Sequence, residues 1–367
     1  MAAEVTVTPA EQTPAIGQSG RTVFLVAEEV AGSPDEGYAK VVHELGNALR
    51  RHVSVVAYVT GEPRAGPAWF RLTRGRSGVD RMRALLSRRL RADLRAANPE
   101  TVVYVSRSSI TFTALVRSRL LKLLGGKARL VMIGLQPRHL GTASRLLARL
   151  LWPDLLLVST EAERAGMRRL GATVERMVTG VDLVRFRPAI PGEKRALRKK
   201  FGIPEESRVL LHVGHMTDGR NLEALLPLAD QPATTVVVVA SSQRTAGSDR
   251  LEAQLRAHGI VLLHGYRPDI GEVYRMADCY VFPTASTDYA IAMPLSVLEA
   301  IASDLPVAAL RFGALPEQFG DVEGVLLVDT PSELADAVSR LLSQASSTRR
   351  LSEGYSWETV ALQIATA

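Results

Sequence analysis

Short apolar runs alternate along this chain with stretches whose apolar residues recur at helical spacing. In the first half the runs read TVFLVA (22–27), VSVVAYV (53–59), TVVYVS (101–106), ARLVMIG (128–134) and LLLVST (155–160). In the second they read RVLLHVG (208–214), TTVVVVAS (234–241), IVLLHG (260–265), CYVFPT (279–284), PVAAL (306–310) and GVLLVD (324–329). They are rich in β-branched residues and lack polar alternation, the pattern of strands covered on both faces. Alternation with helices then predicts parallel sheets with helical crossovers, an α/β class. Gly180, Pro188, Pro191 and Gly192 punctuate the middle of the chain and predict a linker. At 367 residues the chain is too long for one ordinary core and suits two domains. The predicted division is a disordered leader at 1–20, a first domain at 21–180, the linker at 181–192, a second domain at 193–350 and a final helical segment at 351–367.

In open parallel sheets, ligands bind beyond the carboxyl ends of the strands. The first informative loop there is VGHMTDGRNLEALL (213–226), where Gly214 admits a close backbone approach and Arg220, beside Asn221, puts a cation at a predicted helix start. That is an anion site. The alternative is an arginine paired with Glu223 on its own helix. The second loop, PTASTDYAIAMPLSVLEAIASDLPVAAL (283–310), predicts a helix over 295–302 after Pro294, with Leu295 at its start and Glu299 one turn in. A carboxylate there can accept from both hydroxyls of a ribose; the alternative is a solvent-facing glutamate. In the third, Tyr266 and Arg267 follow Gly265 and offer a surface for a nucleobase.

Composition narrows the classes. No window approaches the roughly 18 to 20 apolar residues of a membrane span, and Met1 to Gly20 lacks the regions of a signal peptide. The single cysteine, Cys279, excludes an internal disulfide framework and a cysteine zinc cluster, which fits a reducing cytoplasm. Charge is uneven: residues 1–180 hold 27 Lys+Arg against 15 Asp+Glu, a net +12, while the remaining 18 against 23 give −5. Ten arginines crowd residues 64–95. With so few aromatic residues and none interleaved in this run, nucleic acid is not the expected partner. The basic half predicts an anionic acceptor, phosphate-bearing or lipid-linked, against the alternatives of solvated helix faces and a neutral soluble acceptor. The segment LVRSRLLKLLGGKARL (115–130) sets leucines beside cations, a pattern that suits peripheral contact with an anionic membrane face.

The succession GVDLVRFRP, VGHMTDGRNLEALL, HGYRPDIGEVYRMADCYVFPTAS, PLSVLEAIASDLPVAAL and YSWETVA resembles the family 4 glycosyltransferases of GT-B fold, over residues 21–362. The resemblance implies two Rossmann-like domains facing a cleft, a nucleotide diphosphate sugar as co-substrate, no metal or other cofactor, and transfer with retention of anomeric configuration. In that family an Arg and a Lys grip the donor diphosphate, and the matching positions are His215 and Arg220. Two glutamates separated by seven residues bind the sugar and the ribose. Glu299 matches the second, but Ile291 stands at the first, leaving either Asp288 or backbone amides of 291–295 for the sugar. A glycine pair near the first helix is matched by Glu36 and Gly37. The acceptor-side histidine is matched by the candidates Gln136, Arg138 and His139. Two other readings remain open: a sugar-nucleotide-binding partner subunit without catalysis, and a GT-B-fold epimerase or hydrolase.

Overall fold

A computed structural model of the chain describes residues 21–28, 37–60, 70–73, 82, 85–107, 109–138, 140–241, 247–320 and 322–366. The leader at 1–20, Glu36, His139 and half of the ten arginines at 64–95 lie outside them.

Two parallel sheets carry the fold. The first contains β1 (Thr22–Ala27), β2 (Ser54–Thr60), β3 (Phe70–Thr73), β4 (Thr101–Val105), β5 (Arg129–Ile133), β6 (Leu155–Val158) and β7 (Val174–Arg176) in the order β3-β2-β1-β4-β5-β6-β7. The second contains β8 (Arg208–Gly214), β9 (Thr234–Ala240), β10 (Val261–His264), β11 (Cys279–Phe282), β12 (Val307–Leu310) and β13 (Val325–Val328) in the order β10-β9-β8-β11-β12-β13. All eleven apolar runs became strands. The short strands β3 and β7 were not expected: both lie at edges of the first sheet, where pairing on one side needs no continuous apolar run.

Strand order reverses between β1 and β4 and again between β8 and β11. Such switch points open a crevice at the carboxyl ends of the strands, because neighbouring crossovers leave in opposite directions. Each sheet is buried on both faces by helices, giving separate apolar clusters on its two sides.

The segment 181–192 runs as turns into helix Glu193–Lys200. Val181 forms a bridge to Ser356, and its amide donates to the Tyr355 carbonyl at 2.8 Å. The final helix, Trp357–Thr366, puts Trp357, Val360, Ala361 and Ile364 into the core of the first sheet. Ile291 and Leu295, which belong to the second half, join the same cluster. The two halves therefore share apolar core as well as a chain connection.

The helix Phe112–Gly125 corrects the reading of 115–130 as a membrane-lying amphipath. Leu115 and Leu121 are buried against the first sheet, and Arg117 is buried in an ion pair with Glu28. Leu123 alone of its leucines stands well out, at 65% exposure. A helix covering a parallel sheet spends its apolar face on that sheet.

Candidate functional site

A cavity of about 610 Å³ opens between the sheets, where both switch points face each other. Its walls come from loops that follow β1, β4, β5, β8, β9, β10 and β11. Gly37, Gln136, Gly214, His215, Arg220, Tyr266, Arg267, Asp288, Ile291, Pro294, Leu295 and Glu299 all line it. Residues up to 262 positions apart in the chain thus meet in one place because the loops leave the same ends of two sheets.

Arg220 sits in a 3₁₀ turn, Asp218–Arg220, not at the start of a long helix. The predicted helix is replaced by a second 3₁₀ segment, Leu222–Leu225, and a single α turn, Leu226–Ala229. Asn221 in the left-handed region, φ 56°, breaks the first from the second, and its Nδ2 donates to the Pro283 carbonyl at 3.1 Å. Asn221 therefore ties two site loops together, and it does not line the cavity. Arg220 is 8% exposed, its Nε has no hydrogen-bond partner, and no carboxylate pairs with it among the described side chains. The pairing with Glu223 is thereby excluded. Burial pushes the guanidinium down to about 10.

Beneath Arg220 lies a histidine that the strand pattern concealed. His212, in β8, is fully buried, and its Nδ1 bonds the Val281 carbonyl at 2.9 Å. A carbonyl only accepts, so Nδ1 carries the proton and Nε2 has none; Nε2 has no partner. Burial pushes this imidazole down to about 4. A Cβ on Gly214 would stand 3.0 Å from His212 Nε2 and 3.4 Å from an Arg220 terminal nitrogen. Glycine is favoured there by space, not by backbone angle.

Glu299 is 4% exposed and does not face solvent. Its Oε2 accepts from the Tyr274 hydroxyl at 2.9 Å, and its Oε1 is ion-paired with Lys40 from helix Gly37–Leu49. Burial raises the Tyr274 hydroxyl well above its ordinary value, and the carboxylate adds to that. Pro294 occupies the N-cap of helix Leu295–Ala302.

Other candidates are committed elsewhere. His215 Nδ1 bonds the Ser241 hydroxyl. Arg267 makes a two-point contact with Asp269, 3.0 Å at each nitrogen, and leans on Phe201; Tyr266 beside it is 46% exposed. Asp288 pairs with Arg138, and Gln136 donates from Nε2 to the Ala290 carbonyl at 3.2 Å. The Ala292 amide donates to the Leu135 carbonyl at 2.7 Å, so it is not free for a sugar. Ile291 points its side chain at Gly37, with 3.7 Å from its Cδ1 to a Cβ built there. The residue at the expected first-glutamate position is an apolar strut between the two halves. Gly37 accordingly faces that strut. Lys40, Tyr274, Arg107 and Arg185 join the cavity or its carboxylate without a signal in the sequence. Gly219 is a further omission: a Cβ there would fall within 2.1 Å of the Tyr289 ring, so this ring lies directly on the turn that holds Arg220.

Among the described residues no group of three or more His, Cys, Asp or Glu is placed to hold a metal ion, and no helix is long and apolar enough to cross a membrane.

Residues 207–344 match the family described as Glycosyl transferases group 1. The D-inositol 3-phosphate glycosyltransferase of Corynebacterium urealyticum is 28% identical over 238 residues, covering 58% of this chain and 55% of that protein. The chain spans about half the length of the curated relatives it matches. Among solved structures, sucrose-phosphate synthase from Thermosynechococcus elongatus superimposes with a TM-score of 0.73 at 18% identity, over 94% of this chain and 98% of that one. HepE of Anabaena, solved in complex with UDP, gives 0.70 at 17% identity over the same shares. These likenesses establish the GT-B fold.

Proposed function

We propose that this chain, whose residues 207–344 match the group 1 glycosyl transferases, is a retaining glycosyltransferase. It would move a sugar from a nucleotide diphosphate sugar to a hydroxyl of a phosphate-bearing acceptor. The observation that carries the reading is Arg220: a buried cation with no carboxylate partner among the described residues, at the floor of a cleft built from two switch points. A buried charge without a counterion is costly, and a diphosphate supplies the missing anion. Glu299 stands one loop away, where a carboxylate can accept from vicinal ribose hydroxyls.

As the glycosidic bond breaks, negative charge gathers on the leaving phosphate. Arg220 is already in place and already dehydrated, so it stabilises that charge without reorganising. Gly214 lets the diphosphate approach the backbone beside it. The buried neutral His212 supports the turn from below. Among the described residues the lining holds a His215–Ser241 pair but no carboxylate bonded to that histidine, which suits front-face attack with the leaving phosphate accepting the proton. Arg107 and Arg138 line the cavity from the first half, Arg138 there being paired with Asp288. The Corynebacterium relative is named for an inositol phosphate and the Thermosynechococcus protein for sucrose phosphate, which supports an acceptor carrying phosphate. The +12 balance of residues 1–180 supports the same, and also attraction to an anionic surface.

Calorimetric titration with UDP, GDP and ADP, followed by turnover assays with the matching sugar nucleotides and inositol or hexose phosphates, tests this. One nucleotide should bind, Arg220→Ala should weaken it about ten- to hundredfold, and product should retain the donor's anomeric configuration by NMR. Binding without any turnover would favour the non-catalytic partner subunit, which Ile291 in place of a glutamate keeps open. Turnover of the donor alone to a new sugar nucleotide would favour the epimerase.

A further inference from the structure

Glu299 has two partners, and they come from opposite sides of the cleft. Tyr274, in the second half, donates to Oε2. Lys40, in the first helix of the first half, holds Oε1. The side chains of this ion pair are 18% and 5% exposed. The ammonium also lies 4.9 Å from the centre of the buried Phe186 ring, a further contact that a solvated surface lysine would not have. Its charge therefore has a second contact beside the carboxylate.

A carboxylate offers about four lone-pair sites, two on each oxygen. Tyr274 uses one on Oε2 and Lys40 one on Oε1. One remains on each oxygen, which is what a vicinal diol needs. Without Lys40 the carboxylate would be a buried anion held at one oxygen only, free to turn about its last bond and without a paired cation.

We infer that Lys40 is a positioning residue for ribose recognition: it reaches across from the first domain and holds Glu299 so that both of its oxygens face the nucleotide hydroxyls. The inference rests on the donor reading of Glu299 given above. Its consequence is that the ribose site is assembled from both domains, although every residue that would touch the ribose belongs to the second. Nucleotide affinity then depends on the contact between the halves.

The test compares a ribonucleotide with its 2′-deoxy counterpart on the full chain. Wild-type protein is titrated with UDP, GDP and ADP, and the tightest binder is paired with its 2′-deoxy form. Lys40→Met keeps an unbranched apolar side chain and removes the charge. Wild type should prefer the ribonucleotide about tenfold; Lys40→Met should bind it about tenfold more weakly while binding the deoxy form as wild type does. Discrimination between the two sugars should collapse. A role confined to general folding or bulk charge would weaken both ligands equally, and that result overturns the inference, as does unchanged discrimination. If Lys40→Met does not fold by circular dichroism, Lys40→Gln is read against the same ligand pair with the same two outcomes. If wild type binds none of the three nucleotides, the donor reading falls and the inference with it; if it binds one and the variants discriminate normally, only the inference falls.

Discussion

Replacing Arg220 with methionine should make the free protein more stable and its nucleotide binding worse. The guanidinium is 8% exposed and has no carboxylate partner among the described residues, and burial holds it near 10, below its ordinary value. A folded-state value below the unfolded one means that the charged form is disfavoured by folding. That cost, about 3 kcal/mol, is present at every pH below about 10 and fades only as pH rises through that value toward the unfolded one. Methionine fills much of the same space with no charge and no orphaned Nε, so most of the cost should be recovered in the free state. Against this, loss of a charge-assisted contact to a diphosphate should weaken binding by about 1.5 to 3 kcal/mol, roughly ten- to hundredfold. Urea unfolding at pH 7.5 reads the first quantity as a shift of midpoint, and calorimetry reads the second. The combination of a firmer fold with a weaker site marks a residue kept for binding at the expense of stability. A variant less stable than wild type, or one with unchanged nucleotide affinity, would refute the reasoning, because Arg220 would then be a satisfied structural cation.

Gly214→Ala places a methyl 3.0 Å from His212 Nε2 and 3.4 Å from an Arg220 terminal nitrogen; this crowding beside the anion site should lower nucleotide affinity by calorimetry while the fold survives. Glu163 is buried beside the Thr160 hydroxyl, and burial lifts its carboxyl to about 7. Since the folded value exceeds the ordinary 4.5, wild-type stability should drop by up to about 3 kcal/mol as pH rises from 4.5 to 7, and Glu163→Gln should remove that contribution and be the more stable protein at pH 8 in urea titrations. His212, held near 4, contributes oppositely, losing stability as pH falls below 6.5, so His212→Gln should soften acid unfolding followed by fluorescence. Trp357→Ala removes a side chain from the core that the final helix shares with the first sheet, and thermal and urea unfolding should report a loss of about 3 to 5 kcal/mol.

The repeating apolar runs were sufficient to specify eleven strands, their parallel pairing and the two sheets, because a strand buried on both faces must be apolar throughout and these runs are short, rich in β-branched residues and separated by helical stretches. The loops after β8 and β11 were legible for the same reason: the chain must leave each strand end through a turn, and Gly214, Arg220 and Glu299 stand at those exits. The sequence by itself could not decide what those residues face. Whether Arg220 paired with Glu223 or stood alone depended on how the 221–229 segment folded, and a single left-handed Asn221 turned an expected helix into 3₁₀ turns. Ile291 read as a missing glutamate, whereas its partner Gly37, 254 positions earlier, makes it a strut. Lys40 and His212 carried no signal: one is an ordinary helix lysine and the other a polar residue within an apolar run, and each gained meaning only when tertiary packing paired the one with Glu299 and buried the other. Local pattern determines elements, since strands and helices answer to spacing over a few residues. Which buried charges meet, and which remain without a partner, is decided by the packing of two sheets, because it depends on distances between residues far apart in the chain.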